Sequence, residues 1–153
     1  MPKLRKGFTL IELLVVIGIL AILLTIVLIA INPSRQFNMS NDTKRRSDVL
    51  AILNAVHQYA ADPANRGQLP AGIPVGVVGV DEVEISDVGA DLCALLVPTY
   101  ISALPADPGT GDPVTDCAAV GGYVTGYEIV QDAQSRVTVL APQAVTAVVS
   151  ITR

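Results

Sequence analysis

Residues 8–31 form an uninterrupted apolar run of 24 residues in which Glu12 is the only charge. Nothing else in the chain constrains its fold as strongly. As an α-helix, rising about 1.5 Å per residue, the run is about 36 Å long. That is enough to cross a bilayer core of about 30 Å with some tilt. The apolar residues form no stripe but occupy every side, as in a helix surrounded by lipid or by other helices. A secretory signal peptide fits poorly, because its apolar core spans about 7–15 residues and a small-x-small cleavage site follows. Here the run is longer and Asn32-Pro33-Ser34-Arg35 follows it. A membrane-spanning anchor fits the length.

Flanking charge does not orient that anchor. Lys3, Arg5 and Lys6 stand on one side, and Arg35, Lys44, Arg45 and Arg46 on the other, so the positive-inside rule is nearly balanced. The rest of the chain is strongly acidic: from Ser47 onward there are 12 acidic and 3 basic residues, a net charge of −9. A nucleic acid is therefore not an expected partner, since phosphate binding needs a basic surface.

The run begins Lys6-Gly7-Phe8-Thr9-Leu10-Ile11-Glu12-Leu13-Leu14-Val15-Val16. This resembles the precursor signature of type IV pilins and type II secretion pseudopilins: a short basic leader, Gly, Phe, then Thr-Leu-Ile-Glu-Leu. The resemblance implies that prepilin peptidase cuts between Gly7 and Phe8 on the cytoplasmic side and N-methylates Phe8. It also implies a single-pass protein of the bacterial cytoplasmic membrane with its head outside the cytoplasm, later part of an extracellular or periplasmic filament. The implied partners are identical or homologous pilin subunits, the inner-membrane assembly machinery and the lipid bilayer. Glu12 corresponds to the family's buried glutamate. A carboxylate inside a membrane helix is costly and wants a partner. Cleavage creates one, the Phe8 α-amine, which Glu12 of a neighbouring subunit can reach when helices bundle.

After the run, Asn32-Pro33 should kink or interrupt the helix, because proline removes a backbone donor and restricts the residue before it. Val49, Ile52, Leu53, Val56, Tyr59 and Ala60 then recur at helical spacing, which predicts an amphipathic helix ending at Asp62-Pro63. The basic triplet Lys44-Arg45-Arg46 suits lipid headgroups, an acidic neighbour or plain solvent. The sequence from Lys44 to Val56 resembles the helix of pseudopilin-like subunits. Pro98-Thr-Tyr-Ile-Ser-Ala-Leu-Pro-Ala-Asp-Pro108 resembles a proline-rich stretch of pseudopilins and related pilins. Strands are expected at Val75–Val80, Glu82–Ile85, Gly122–Val130, Ser135–Leu140 and within Ala144–Ile151, a short helix at Asp87–Val97, and a hairpin turn at Asp132–Ser135. The expected architecture is α+β: a long N-terminal helix packed on a small antiparallel β-sheet head. The chain divides into a leader (1–7), a membrane or filament-core helix (8–31), an amphipathic helix (32–62) and a β-rich head (63–153).

Cys93 and Cys117 lie in the acidic part. Outside the cytoplasm they can form a disulfide, closing a loop of about 25 residues and stabilising the fold by about 3 kcal/mol. Two buried free thiols are the alternative. Catalysis is not expected. His57 is the only histidine, and no zinc spacing, phosphate loop or nucleophile elbow is present. One metal reading remains, with Asp107, Asp112 and Asp116 in a Pro/Gly loop as calcium ligands. Major pseudopilins bind calcium at a similar place, but this sequence lacks their aromatic run after Asp107-Pro108 and carries Cys117 there. The leading reading is a structural subunit of a type IV pilus or pilus-like filament. Its alternatives are a type II secretion pseudopilin and a monomeric membrane-anchored envelope binding protein. An accessory pilin for DNA uptake is disfavoured by the acidic head.

Overall fold

A computed structural model describes residues 7–118 and 121–153; the basic leader positions 1–6 lie outside the described residues. The chain is α+β, with a long N-terminal helical region whose first half is apolar and a four-stranded antiparallel sheet. Helix α1 spans Leu10–Ile31 and α2 spans Pro33–Ala61. The helical path breaks at Asn32, which adopts a left-handed conformation with φ 48°. Asparagine tolerates that conformation better than most residues. Pro33 then occupies the first position of α2, where its missing N–H costs nothing. The Asn32 side chain accepts a hydrogen bond from the Arg35 N–H at 3.4 Å, supplying the start of the new helix.

The chain forms two compact units, Met1–Phe37 and Asn38–Arg153. This boundary differs from the expected segments. Most of α2 belongs with the head because it supplies the head's core: Val49, Ile52, Leu53, Ala55 and Val56 are buried. In the first unit, by contrast, no residue of α1 is buried.

In the second unit, strands β1 (Val83–Ser86), β2 (Val124–Gln131), β3 (Val137–Ala141) and β4 (Val149–Thr152) form an antiparallel meander in that order. Its register aligns Val83, Ile129, Val139 and Ile151 in one row across all four strands. All four belong to or pack against the apolar cluster that holds Ile52, Leu53 and Tyr127. The β2–β3 turn forms at Asp132–Ser135 because Asp132 Oδ1 accepts the Gln134 and Arg136 N–H groups, both at 2.9 Å. A four-residue helix, α3 (Cys93–Leu96), carries Cys93 into the core.

Three expected elements shrink or disappear. Val75–Val80 is not a strand; Val75 alone makes an isolated bridge to Gln131. The following residues turn instead, with Gly79 at φ 93° and the Asp81 carboxylate taking the Val77 N–H at 2.8 Å. A side chain thus satisfies a backbone group that a strand would offer to its neighbour. The expected helix Asp87–Val97 keeps only its last turn. Its first residues fold back on β1, where Ala90 N–H donates to the Glu84 carbonyl and Gly89 N–H to Ser86 Oγ. A Cβ at Gly89 would lie 2.3 Å from the Glu84 carbonyl, so this approach needs glycine. The last β-rich run is ordered as a strand only from Val149.

Candidate assembly site

The first unit presents Gly7, Phe8 and Glu12, the residues expected to serve processing and assembly, at an open helix start. Gly7 lies in coil with no atom within 4 Å of where a Cβ would stand. Phe8 is 84% exposed. Thr9 is the N-cap of α1 and forms a capping box with Glu12. Glu12 Oε2 accepts from the Thr9 N–H and from Thr9 Oγ1, both at 2.7 Å, while the Glu12 N–H donates to Thr9 Oγ1 at 3.3 Å. The carboxylate therefore curls back toward Phe8 and satisfies helix donors that have no partner of their own. It also sits at the positive end of the helix dipole. Among the described residues, Oε1 accepts no hydrogen bond. The Thr-x-x-Glu spacing of a capping box was legible at Thr9–Glu12. The sequence reading gave Glu12 an intermolecular partner and missed this local one.

The second unit holds a charged cluster that sequence reasoning did not find. Arg45 is buried, not solvated. Its Nε donates to Asp107 Oδ2 at 2.5 Å, one terminal nitrogen to Asp107 Oδ1 at 2.9 Å, and the other to Asp42 Oδ1 at 2.9 Å. Asp42 further accepts from the Val145 N–H and from the N–H and hydroxyl of Thr146. The Thr146 hydroxyl, together with the backbone and Arg45 donors, overcomes burial and holds the Asp42 carboxyl well below the usual range. Burial pushes Asp107 upward, but Arg45 and the Gly109 N–H outweigh it and leave Asp107 lowered. The arrangement ties α2 to two loops at once. The signal was the spacing of Asp42, Arg45, Val49, Ile52 and Val56, which lie on one face of α2. The charged members of a face read as solvated unless their partner is known, and Asp107 is 62 positions away.

The proline-rich stretch runs along α2 and ends in that cluster. Tyr100 stacks edge-on against Tyr59, with ring centres 5.5 Å apart, and its hydroxyl donates to Asp62 at 2.8 Å. Leu104 is fully buried, and Asp107 meets Arg45. The three calcium candidates are consequently not gathered. Asp107 gives both oxygens to Arg45, whereas Asp112 and Asp116 are exposed. Among the described residues, no group of three or more acidic, histidine or cysteine side chains is placed to hold a metal. Cys93 and Cys117 form a disulfide with a Cα–Cα distance of 5.5 Å. His57 is half-buried on α2, and desolvation together with the Arg153 charge pushes its imidazole down.

A family model, the prokaryotic N-terminal methylation motif, matches residues 2–28. The chain carries the type IV pilin and pseudopilin signature. The match covers the leader, the Gly7–Phe8 junction, Glu12 and most of α1, and does not extend into the head. It supports a pilin-like or pseudopilin protein and fits membrane anchoring through α1, which is long and apolar enough to cross a bilayer. The motif implies processing by prepilin peptidase and assembly with other pilin subunits. Neither the curated proteins nor the solved structures gave a match.

Proposed function

We propose that this chain is a structural subunit of a type IV pilus or pilus-like filament. Prepilin peptidase cuts between Gly7 and Phe8, Phe8 is N-methylated, and α1 moves from the bilayer into a bundle of like helices. The head is outside the cytoplasm throughout, and its role is structural rather than catalytic. The observation that carries this reading is the methylation motif over residues 2–28, joined to a helix with no buried residue. An apolar helix that buries nothing in its own chain needs lipid or other helices around it. Glu12 supports the reading further. One of its oxygens is engaged by the helix start, and the other, which accepts no hydrogen bond among the described residues, can accept one from the α-amine of a neighbour's Phe8.

A second reading keeps the filament and changes its machine. The Pro98–Pro108 stretch packs along α2 and resembles that of pseudopilins, which favours a short type II secretion filament. Electron microscopy of cells producing the chain tests the shared claim. Wild type gives filaments, and Glu12→Ala gives a normally cut chain that stays in the membrane with few filaments. Normal filaments from Glu12→Ala would refute the pairing role of Glu12.

A further inference from the structure

His57 stands on α2 and is half-buried. Its Nε2 is buried and has no hydrogen-bond partner among the described residues. A neutral imidazole carries one N–H and one bare nitrogen, so it tolerates such a site by leaving Nε2 bare. The imidazolium carries an N–H at both nitrogens. Charging His57 therefore puts a proton on Nε2, where the structure offers no acceptor. A buried donor without an acceptor is costly, and more so when it is charged.

Arg153 adds to that cost. It follows β4, exchanges backbone bonds with Val137 at 2.8 and 2.9 Å, and its guanidinium donates to Asn54 Oδ1 at 2.9 Å. Asn54 and His57 are three positions apart on α2, which makes them neighbours on the helix surface. Residues 49–61 of α2 carry no charged side chain, and neither do strands β3 and β4. Among the described residues, Arg153 is the one charged group whose field acts on His57; desolvation first and Arg153 second push the imidazole down. The join matters because β4 is an edge strand. It pairs with β3 alone, and the Arg153–Asn54 bond ties its end to α2.

We propose that His57 makes the join between α2 and the end of β4 acid-sensitive: proton uptake at Nε2 releases Arg153 from Asn54 and opens the edge strand, while the rest of the sheet stays folded. Such a device goes beyond the filament reading. It takes from that reading only the place of the head, outside the cytoplasm, where the cell does not hold the pH. A base that binds protons more readily in the open state leaves the closed state fully stable above its ordinary value of about 6.5, and the stability is lost as pH falls below it. Burial raises Asp48 and Glu128, so these carboxyls respond to acid with the opposite sign. A local measurement separates the two effects.

Hydrogen exchange of the full chain in detergent, read by mass spectrometry and corrected for the intrinsic pH dependence of exchange, reports on this join. From about pH 7.5 to about pH 5.5, across the ordinary imidazole value, protection of residues 149–153 should fall about tenfold, the size expected for one buried donor without its acceptor. Protection of β2 should hold. His57→Gln, which stays neutral, should abolish the fall. Unchanged protection of β4 in the wild type, or the same fall in His57→Gln, overturns the proposal. His57 is the only histidine, so NMR of a chain labelled at histidine follows its imidazole without any variant. The imidazole should titrate at lower pH in the folded chain than in the same chain unfolded in urea; titration at an equal or higher pH overturns the proposal. Micrographs of cells producing the chain read the filament claim separately, so the failure of either is told from the failure of the other.

Discussion

Replacing Arg45 with methionine keeps most of the side chain's apolar bulk and deletes a guanidinium that makes three hydrogen bonds to buried carboxylates. The damage falls unequally. Asp42 keeps the Val145 N–H and both donors of Thr146. Asp107, with 0% exposure, keeps only the Gly109 N–H at 2.8 Å. Leaving a buried charge without its partner costs about 3–5 kcal/mol, a large share of a typical stability of about 5–15 kcal/mol. All four tyrosines, at positions 59, 100, 123 and 127, lie in the second unit and there is no tryptophan. Tyrosine fluorescence during urea unfolding of the full chain in detergent therefore reports on the head alone. Arg45→Met should lower stability by about 3 kcal/mol or more, and adding Asp107→Asn should recover at least half of that, because it removes the stranded charge. The pH dependence should invert as well. In the wild type, Asp42 and Asp107 titrate below their unfolded values, so their contribution is present above about pH 4 and is lost as pH falls further. In Arg45→Met, burial, the largest influence on Asp107, outweighs the remaining Gly109 N–H and raises the carboxyl, so the variant should gain stability as pH drops from 7 toward 4. A loss under 1 kcal/mol, or a double variant weaker than the single, would show that the cluster does not hold α2 to the head.

The Cys93–Cys117 bridge spans 24 positions, and on the chain-entropy model its reduction should cost about 3 kcal/mol; equal urea midpoints with and without reductant would contradict this. Tyr127→Phe removes a 2.8 Å bond from the tyrosine hydroxyl to half-buried Asp48 and should cost about 1–2 kcal/mol at neutral pH. Burial already raises the Asp48 carboxyl, so that cost should shrink on acidification as Asp48 takes up a proton; a pH-independent cost would sink the assignment. At Gly76 a Cβ would lie 2.3 Å from the Asp81 Cβ, so Gly76→Ala should displace the Val77–Asp81 turn while leaving the unfolding free energy in urea within about 1 kcal/mol of wild type; a larger loss would show that the turn supports the sheet.

The long-range order of the head was less legible than its pieces. Helix α1, the break at Asn32 and the buried face Val49–Ile52–Leu53–Val56 follow from local rules of hydropathy, proline chemistry and helical period, and the structure has all three. Strands β2 and β3 were visible as alternating runs for the same reason, β1 as a short candidate, and β4 only as part of a longer β-rich run. The run Val75–Val80 satisfied the same pattern but did not become a strand, because the Asp81 side chain captured its backbone. The triplet Lys44-Arg45-Arg46 looked uniform, but the fold buries its middle member and exposes the other two. What decides Arg45 is a carboxylate 62 residues away, and composition carries no trace of that pairing. At the junction the difficulty was different. The capping box was written in Thr9 and Glu12, but the same residues also fitted a family signature that asks for an intermolecular partner. The two roles are compatible, since the local bonds use Oε2 and Oε1 accepts no hydrogen bond among the described residues.

The central claim is that the chain is cut and methylated where its basic leader meets the apolar helix. Intact-mass and N-terminal peptide mass spectrometry of the protein, purified from the membranes of cells that contain prepilin peptidase, measures this directly. The account predicts a chain that begins at Phe8 and carries one methyl group on its α-amine. A mature protein that still begins at Met1, with an unmodified Gly7–Phe8 bond, would contradict it.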